Sequence, residues 1–146
     1  TLAFTKKEGY CETLFGRRRY LPELNASNFQ LRSAAERMAI NHPIQGTAAD
    51  LIKLAMIEVS KRIQASFCHP RGNGDPDTKP LDSRFGGNDN CPKMLLQVHD
   101  EIVLEVKKEL AEETAELVKN IMENVVTLRV PTKVGLSINR SWGEMK

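Results

Sequence analysis

Three polar residues, His99, Asp100 and Glu101, interrupt the otherwise apolar stretch LLQVHDEIVLEV between Leu95 and Val106. Adjacent carboxylates repel each other, and a divalent cation is the simplest neutralising partner. Oxygen ligands on a rigid β platform suit Mg2+. The plain alternative is a solvated turn. A second group, Arg37, Asn41 and Gln45, is spaced four and four in ERMAINHPIQGTAAD, so an unbroken helix puts all three on one face. All three side chains donate hydrogen bonds. The DNA minor groove offers acceptors, purine N3 and pyrimidine O2, at every base pair, so a row of donors can check a duplex without reading its sequence. The alternative is a solvated helix face with a capping Asn.

Other candidates are weaker. The run Arg17, Arg18, Arg19 either contacts phosphates or is a charged edge strand that discourages aggregation. Cys68, His69 and Cys91 raise a zinc reading, but the long gap before Cys91 and the lack of CxxC-type pairing argue against it, and their grouping is read as coincidence. His42, just before Pro43, reads as a helix-end residue.

The acidic tip needs a hairpin beneath it. Residues directly opposite each other in a hairpin share a face, so the apolar positions report the loop length. A two-residue loop of His99 and Asp100 pairs Val98 with Glu101 and mixes apolar with charged. A three-residue tip pairs Val98 with Ile102, Leu96 with Leu104 and Met94 with Val106, giving one apolar face; the pattern predicts this tip. Such loops usually need a residue with positive φ, and with no Gly present a polar tip residue takes that conformation.

The donor row needs a helix. From Ser27 as N-cap, NFQLRSAAERMAIN reads as helical, with an interruption near His42-Pro43. A second helix then carries Ile44, Ala48, Leu51, Ile52, Ala55, Met56, Val59 and Ile63 at steps of three and four, which predicts one stripe against a core. Upstream, Tyr10 to Leu14 and Arg18 to Leu21 flank a Phe15-Gly16 turn and predict a hairpin ended by Pro22. LAFTKKEG before it reads as the last turns of a helix closed by Gly9. Downstream, KKELAEETAELVKNIMENVV places Leu110, Leu117, Val118, Ile121, Met122 and Val125 on one helical face, and TKVGLSI reads as a final strand leading to a polar tail with Trp142.

The order is hairpin, helices, hairpin, helix, strand, which predicts an α+β architecture with an antiparallel sheet. Three regions follow: 1–65 with the first hairpin and helices, 66–92 dense in Pro, Gly, Asp and Asn, and 93–146 with the acidic hairpin, helix and terminal strand. The middle region reads as a surface insertion. The chain has 146 residues, 40% hydrophobic and 27% charged, the balance of an ordinary globular protein. A net charge of +2 is too small to identify a nucleic-acid partner, so only local clustering carries that argument. No apolar run has the length of about 20 residues that a membrane helix needs. Three scattered cysteines argue against a disulfide framework and fit a reducing, cytoplasmic setting. The lack of an initiator Met suggests a chain cut from something longer.

GYCETLFGRRRYLPEL, AERMAINHPIQGTAADLIKLAM and LLQVHDEIVLEV, in that order, together with the closing VPTKVGLSINRSWGEMK, closely resemble the C-terminal end of family A DNA polymerases, the bacterial DNA polymerase I group. The resemblance covers nearly the whole chain outside the insertion. It implies that the acidic hairpin is motif C of an antiparallel palm sheet, with Asp100 a catalytic metal ligand, Glu101 a supporting carboxylate and His99 near the primer terminus. It also implies DNA contacts at Arg37, Asn41 and Gln45 and a further basic one at Arg32. The reaction implied is template-directed nucleotidyl transfer from deoxynucleoside triphosphates to a primer 3′-hydroxyl by a two-Mg2+ mechanism.

The family's second aspartate, in motif A, and its fingers helix, motif B, have no counterpart in these 146 residues. The chain therefore reads as a C-terminal portion, inert by itself, whose partners are primer–template DNA, deoxynucleoside triphosphates and the upstream part of a polymerase. The alternative is a non-catalytic DNA-binding remnant of a split or broken gene. The segment PRGNGDP to LDSRFGGND departs from the family and looks like a translated palindromic repeat element. Lengthening a surface loop costs only about 0.6 kcal/mol per doubling.

Overall fold

The computed structural model describes residues 1–68 and 91–144, so most of the 66–92 insertion, His69 included, lies outside the described residues. The chain divides into two compact units, Thr1–Lys53 and Leu54–Lys146.

In the first unit, helix α1 (Leu2–Glu8) ends at Gly9, whose φ of 78° supplies the left-handed cap; the Gly9 N–H donates to Thr5 O, and Lys6 and Lys7 sit in the negative last turn. Strands β1 (Tyr10–Glu12) and β2 (Arg18–Tyr20) pair antiparallel, with Tyr10 opposite Tyr20, Cys11 opposite Arg19 and Glu12 opposite Arg18. Thr13 N donates to Arg17 O and Gly16 N to Thr13 O, while Gly16 has φ 81°, the three-residue loop in which a type I turn is followed by a left-handed residue. The expected hairpin is therefore present. A 3₁₀ turn over Pro22–Asn25 follows.

Helix α2 then runs without a break from Phe29 to Phe67. Its N-cap is Asn28, one residue beyond the expected Ser27: Asn28 Oδ1 accepts from the N–H groups of Gln30 at 2.9 Å and Leu31 at 3.4 Å. The expected interruption at His42-Pro43 does not occur. Proline lacks the N–H that would bond four residues back and normally costs a helix about 3 kcal/mol. Here the turn after it is tied from outside, since Thr47 Oγ1 donates to Pro43 O and accepts from Leu14 N, and Arg17 reaches Gly46 O.

The first unit's core is Cys11, Leu21, Leu24, Ala35 and Ala39, with Leu2 and Met38 against it. Ala35 and Ala39, one helical turn apart and fully buried, let the hairpin and α1 approach α2 closely. A Lys6–Glu36 ion pair at 2.7 Å also joins α1 to α2. The predicted apolar stripe is only partly buried: Ala55, Val59 and Ile63 are enclosed, whereas Ile44 is 72% exposed, because the polar side of the Pro43 turn is the side that meets the hairpin.

In the second unit, the C-terminal half of α2 packs with strands β3 (Lys93–Val98) and β4 (Glu101–Glu105) and helix α3 (Ala111–Asn124). Val59, Ile63, Val118 and Ile121 form its core, with Phe67, Met94, Leu104, Leu117 and Met122 against them. The apolar face predicted for α3 is the one it buries, and Glu112 and Glu113 lie favourably in its first turn. The β3–β4 register differs from expectation. Val98 lies opposite Glu101, Gln97 opposite Ile102, Leu96 opposite Val103 and Met94 opposite Leu104, with an irregularity between Met94 and Leu96. The tip is therefore the two residues His99 and Asp100. A bulge at Leu95 adds one residue to β3 and reverses its parity, so Met94 and Leu104 still face the core.

The predicted strand in TKVGLSI is not a strand. Among the described residues it has no ladder partner; Thr132 Oγ1 instead donates to Glu123 O and Val134 N to Glu123 Oε1, which fastens the segment to the end of α3. The described sheets are thus two separate two-stranded ribbons, an α+β arrangement of helices with small antiparallel sheets. Cys68 and Cys91 are joined in a disulfide with Cα atoms 5.2 Å apart, contrary to the expectation from cysteine count. Cys11 stays a free, buried thiol. No described helix is long and apolar enough to cross a membrane.

Candidate nucleic-acid interface and acidic tip

Because α2 is continuous through Pro43, Arg37, Asn41 and Gln45 do share one face, and all three are exposed. Together with Arg19, Ala34, Met38 and His42 they line an open concavity of about 360 Å³. Among the described residues, none of the three side chains has a hydrogen-bond or ion-pair partner. Donors without internal partners on an exposed face are available to an external acceptor. One lining residue is less comfortable: the Nε2 of His42 is buried and has no partner among the described residues.

The concavity is held in shape from behind. Asp50 accepts from Thr13 Oγ1 at 2.8 Å and from Arg17 Nε at 2.9 Å, Arg17 Nη2 donates to Gly46 O at 2.9 Å, and Leu14 N donates to Thr47 Oγ1 at 2.9 Å. These bonds clamp the β1–β2 loop onto α2 between Pro43 and Asp50. Burial pushes the Asp50 carboxyl up, but the bonds from Thr13 and Arg17 and the Arg17 charge together hold it below the ordinary aspartate value. Gly46 is what lets the loop in, since a Cβ there would lie 2.6 Å from Thr13 Cγ2. Sequence reasoning missed this clamp. Its only trace was a set of polar residues, Thr47 and Asp50, in an otherwise apolar helical stretch.

The three arginines of the basic run have separate fates. Arg17 is spent in the clamp. Arg18 lies over the Tyr10 ring at 4.5 Å and pairs with Glu12 at 3.4 Å. Arg19 lines the concavity. Arg32 is half-buried, donates to Ala26 O at 3.1 Å and lies 5.8 Å from the Phe29 ring, outside the lining formed by the donor row.

The acidic tip belongs to the second unit. His99 has φ 53°, the one non-glycine residue with positive φ among those described, as expected for a polar residue at a tip without Gly. The Gln97 side-chain amide donates to His99 O and braces the turn. His99, Asp100 and Glu101 are all exposed, and neither carboxylate has a cationic partner among the described residues. Hard oxygen donors of this kind fit Mg2+ chemistry. They are an incomplete ligand set, because no group of three or more metal-ligating side chains occurs among the described residues. The donor row and the acidic tip belong to different compact units.

The sequence model of DNA polymerase family A matches residues 1–144. A thermostable DNA polymerase I of Thermus thermophilus is 46% identical over 142 residues, covering 97% of this chain and 14% of that protein. DNA polymerase I of Bacillus caldotenax is 43% identical over 141 residues, again 97% of this chain and 14% of the relative. The chain thus spans about one-seventh of the length of these relatives. A solved structure described as the POL domain of Pol1 from M. smegmatis, in complex with DNA primer-template and dNTP, superposes with a TM-score of 0.77 at 42% identity, covering 97% of this chain and 21% of that one.

Proposed function

The chain belongs to DNA polymerase family A, and from that premise we propose that it supplies a DNA-directed DNA polymerase with its motif C carboxylates and with part of its grip on the primer–template duplex. The observation that carries this reading is the tip itself: two exposed carboxylates, without cationic partners among the described residues, on a hairpin turn held open by a left-handed His99.

In this reading Asp100 holds the catalytic metal, with Glu101 as a supporting carboxylate. Bound Mg2+ supplies activation of the primer 3′-hydroxyl and neutralisation of charge at the departing pyrophosphate in a two-metal site. The chain's own residues do the positioning. His99 stands at the primer terminus, and Arg37, Asn41 and Gln45 donate to minor-groove acceptors present at every base pair. Arg32, already oriented by Ala26 O and Phe29, adds a basic contact to the DNA. Deoxynucleoside triphosphates are the second substrate. A carboxylate on a different segment must complete the metal site, so the 146 residues alone are inactive and require the rest of a polymerase domain.

Primer extension with Mg2+ tests the reading at two levels. The isolated chain should incorporate nothing, and robust extension would refute the need for further segments. With the remainder of a family A polymerase domain supplied upstream, Asp100→Ala should lower incorporation by roughly 100-fold or more while duplex affinity stays nearly unchanged. Retained turnover would sink the metal-ligand assignment.

A further inference from the structure

Strand geometry divides the basic run. Arg18 and Arg19, successive residues of β2, point to opposite sides, Arg18 to Tyr10 and Arg19 to Met38 of α2, and Arg17, just before the strand, also reaches α2 at Gly46 O. Arg17 is fully engaged by Asp50 and Gly46 O, and Arg18 by Tyr10 and Glu12. Arg19 alone reaches the concavity of the donor row. The only hydrogen-bond partner of its guanidinium among the described residues is Met38 Sδ, 3.3 Å from Nη2, and a thioether is a weak acceptor that a charged oxygen displaces readily.

The same lining holds a second unmet polar group. His42 is one of the lining residues, and among the described residues its buried Nε2 lacks a partner, although a buried polar atom normally has one. Every other polar side chain of the lining, Arg19, Arg37, Asn41 and Gln45, presents donors. Such a surface is matched by an anionic, acceptor-rich group, and a guanidinium at its edge suits the planar, two-point recognition of a phosphodiester.

We propose that Arg19 is a DNA-binding residue, holding a backbone phosphate beside the minor groove that Arg37, Asn41 and Gln45 probe. The contact rests on the duplex-binding reading given above. It makes β2 a part of the DNA interface and gives the clamp of Thr13, Arg17 and Asp50 a role, since that clamp fixes the height of Arg19 above α2.

The test is the salt dependence of binding to a short fluorescein-labelled DNA duplex of mixed sequence, measured by anisotropy with the full 146-residue chain. A phosphate contact contributes about 0.9 to the slope of log affinity against log salt. Arg19→Ala should therefore flatten the slope by about that amount, so that its affinity deficit is roughly 3.5-fold larger at 50 mM salt than at 200 mM. Arg19→Lys should keep the slope, and Arg18→Ala should match the unaltered chain. An unchanged slope in Arg19→Ala, with Arg37→Ala still weakening binding, overturns the assignment of Arg19 alone. Loss of slope in Arg18→Ala equal to that in Arg19→Ala also overturns it, because the effect would then be net charge. A chain that binds no duplex, or binds equally well as Arg37→Ala, overturns the duplex reading itself.

Discussion

Arg37, Asn41 and Gln45 have no side-chain partner among the described residues, whereas Glu36, Asp50, Arg62 and Glu58 on the same helix do. Removing one charge-assisted donor from an interface loses roughly 1.5–3 kcal/mol of hydrogen bonding. Arg37→Ala should therefore weaken duplex binding by about tenfold or more, equally for A·T-rich and G·C-rich sequences. Competition between the two duplexes measures this, and a new base preference would contradict the minor-groove account. The clamp carboxyl Asp50 makes a different prediction. Its folded-state pKa lies below the ordinary value, as does that of Glu36, which the Lys6 hydrogen bond and charge hold down. Such groups stabilise the fold above their unfolded pKa and lose that contribution as pH falls through the depressed folded value. Thermal stability should decline below about pH 4, and Asp50→Asn should flatten that decline in a melting series across pH. At this scale the spacing of Arg37, Asn41 and Gln45 did report the one face they share on the continuous helix. The clamp was not, because Thr13 and Asp50 are 37 residues apart and meet only when the hairpin lies on the helix.

The elements read best where one local rule governed each. Gly9 and Gly16 announced a helix end and a hairpin loop, and the period of α3 matched the face it buries. They read worst where two rules competed. Parity favoured a three-residue tip on the assumption of an unbroken ladder, and the bulge at Leu95 removes that assumption. Proline argued for two helices, and the bonds from Leu14 and Arg17 around its turn outweigh it. A strand in TKVGLSI needs a neighbour that the described residues do not provide. The closeness of the loop to α2 gives a prediction at this level. Gly46→Ala puts a methyl 2.6 Å from the buried, branched Thr13 side chain, and overpacking of this kind costs typically about 1–3 kcal/mol. Urea unfolding should show a lower midpoint with the slope preserved, and a midpoint equal to that of the unaltered chain would mean the loop has room to retreat.

At the scale of the molecule, the division into two compact units was not visible in the sequence, because the helix that crosses it carries one uninterrupted pattern. Nor was the disulfide, since cysteine count and scatter say nothing about how close two chain positions come. Closing a loop of this length, with Cys68 and Cys91 separated by 23 positions, stabilises by about 3 kcal/mol in the chain-entropy account. Dithiothreitol should therefore lower the melting temperature of the unaltered chain, while Cys68→Ser should melt at the reduced value and ignore the reagent. Equal melting of all three states would show that the bridge contributes nothing.

The same neck has a use in protein engineering. Cα atoms 5.2 Å apart, at the boundary between α2 and β3, present the chain ends of whatever lies between them almost side by side. A guest domain with similarly adjacent termini, such as a fluorescent reporter or an affinity module, can be grafted between Cys68 and Cys91 with its ends anchored at a spacing the host already accommodates.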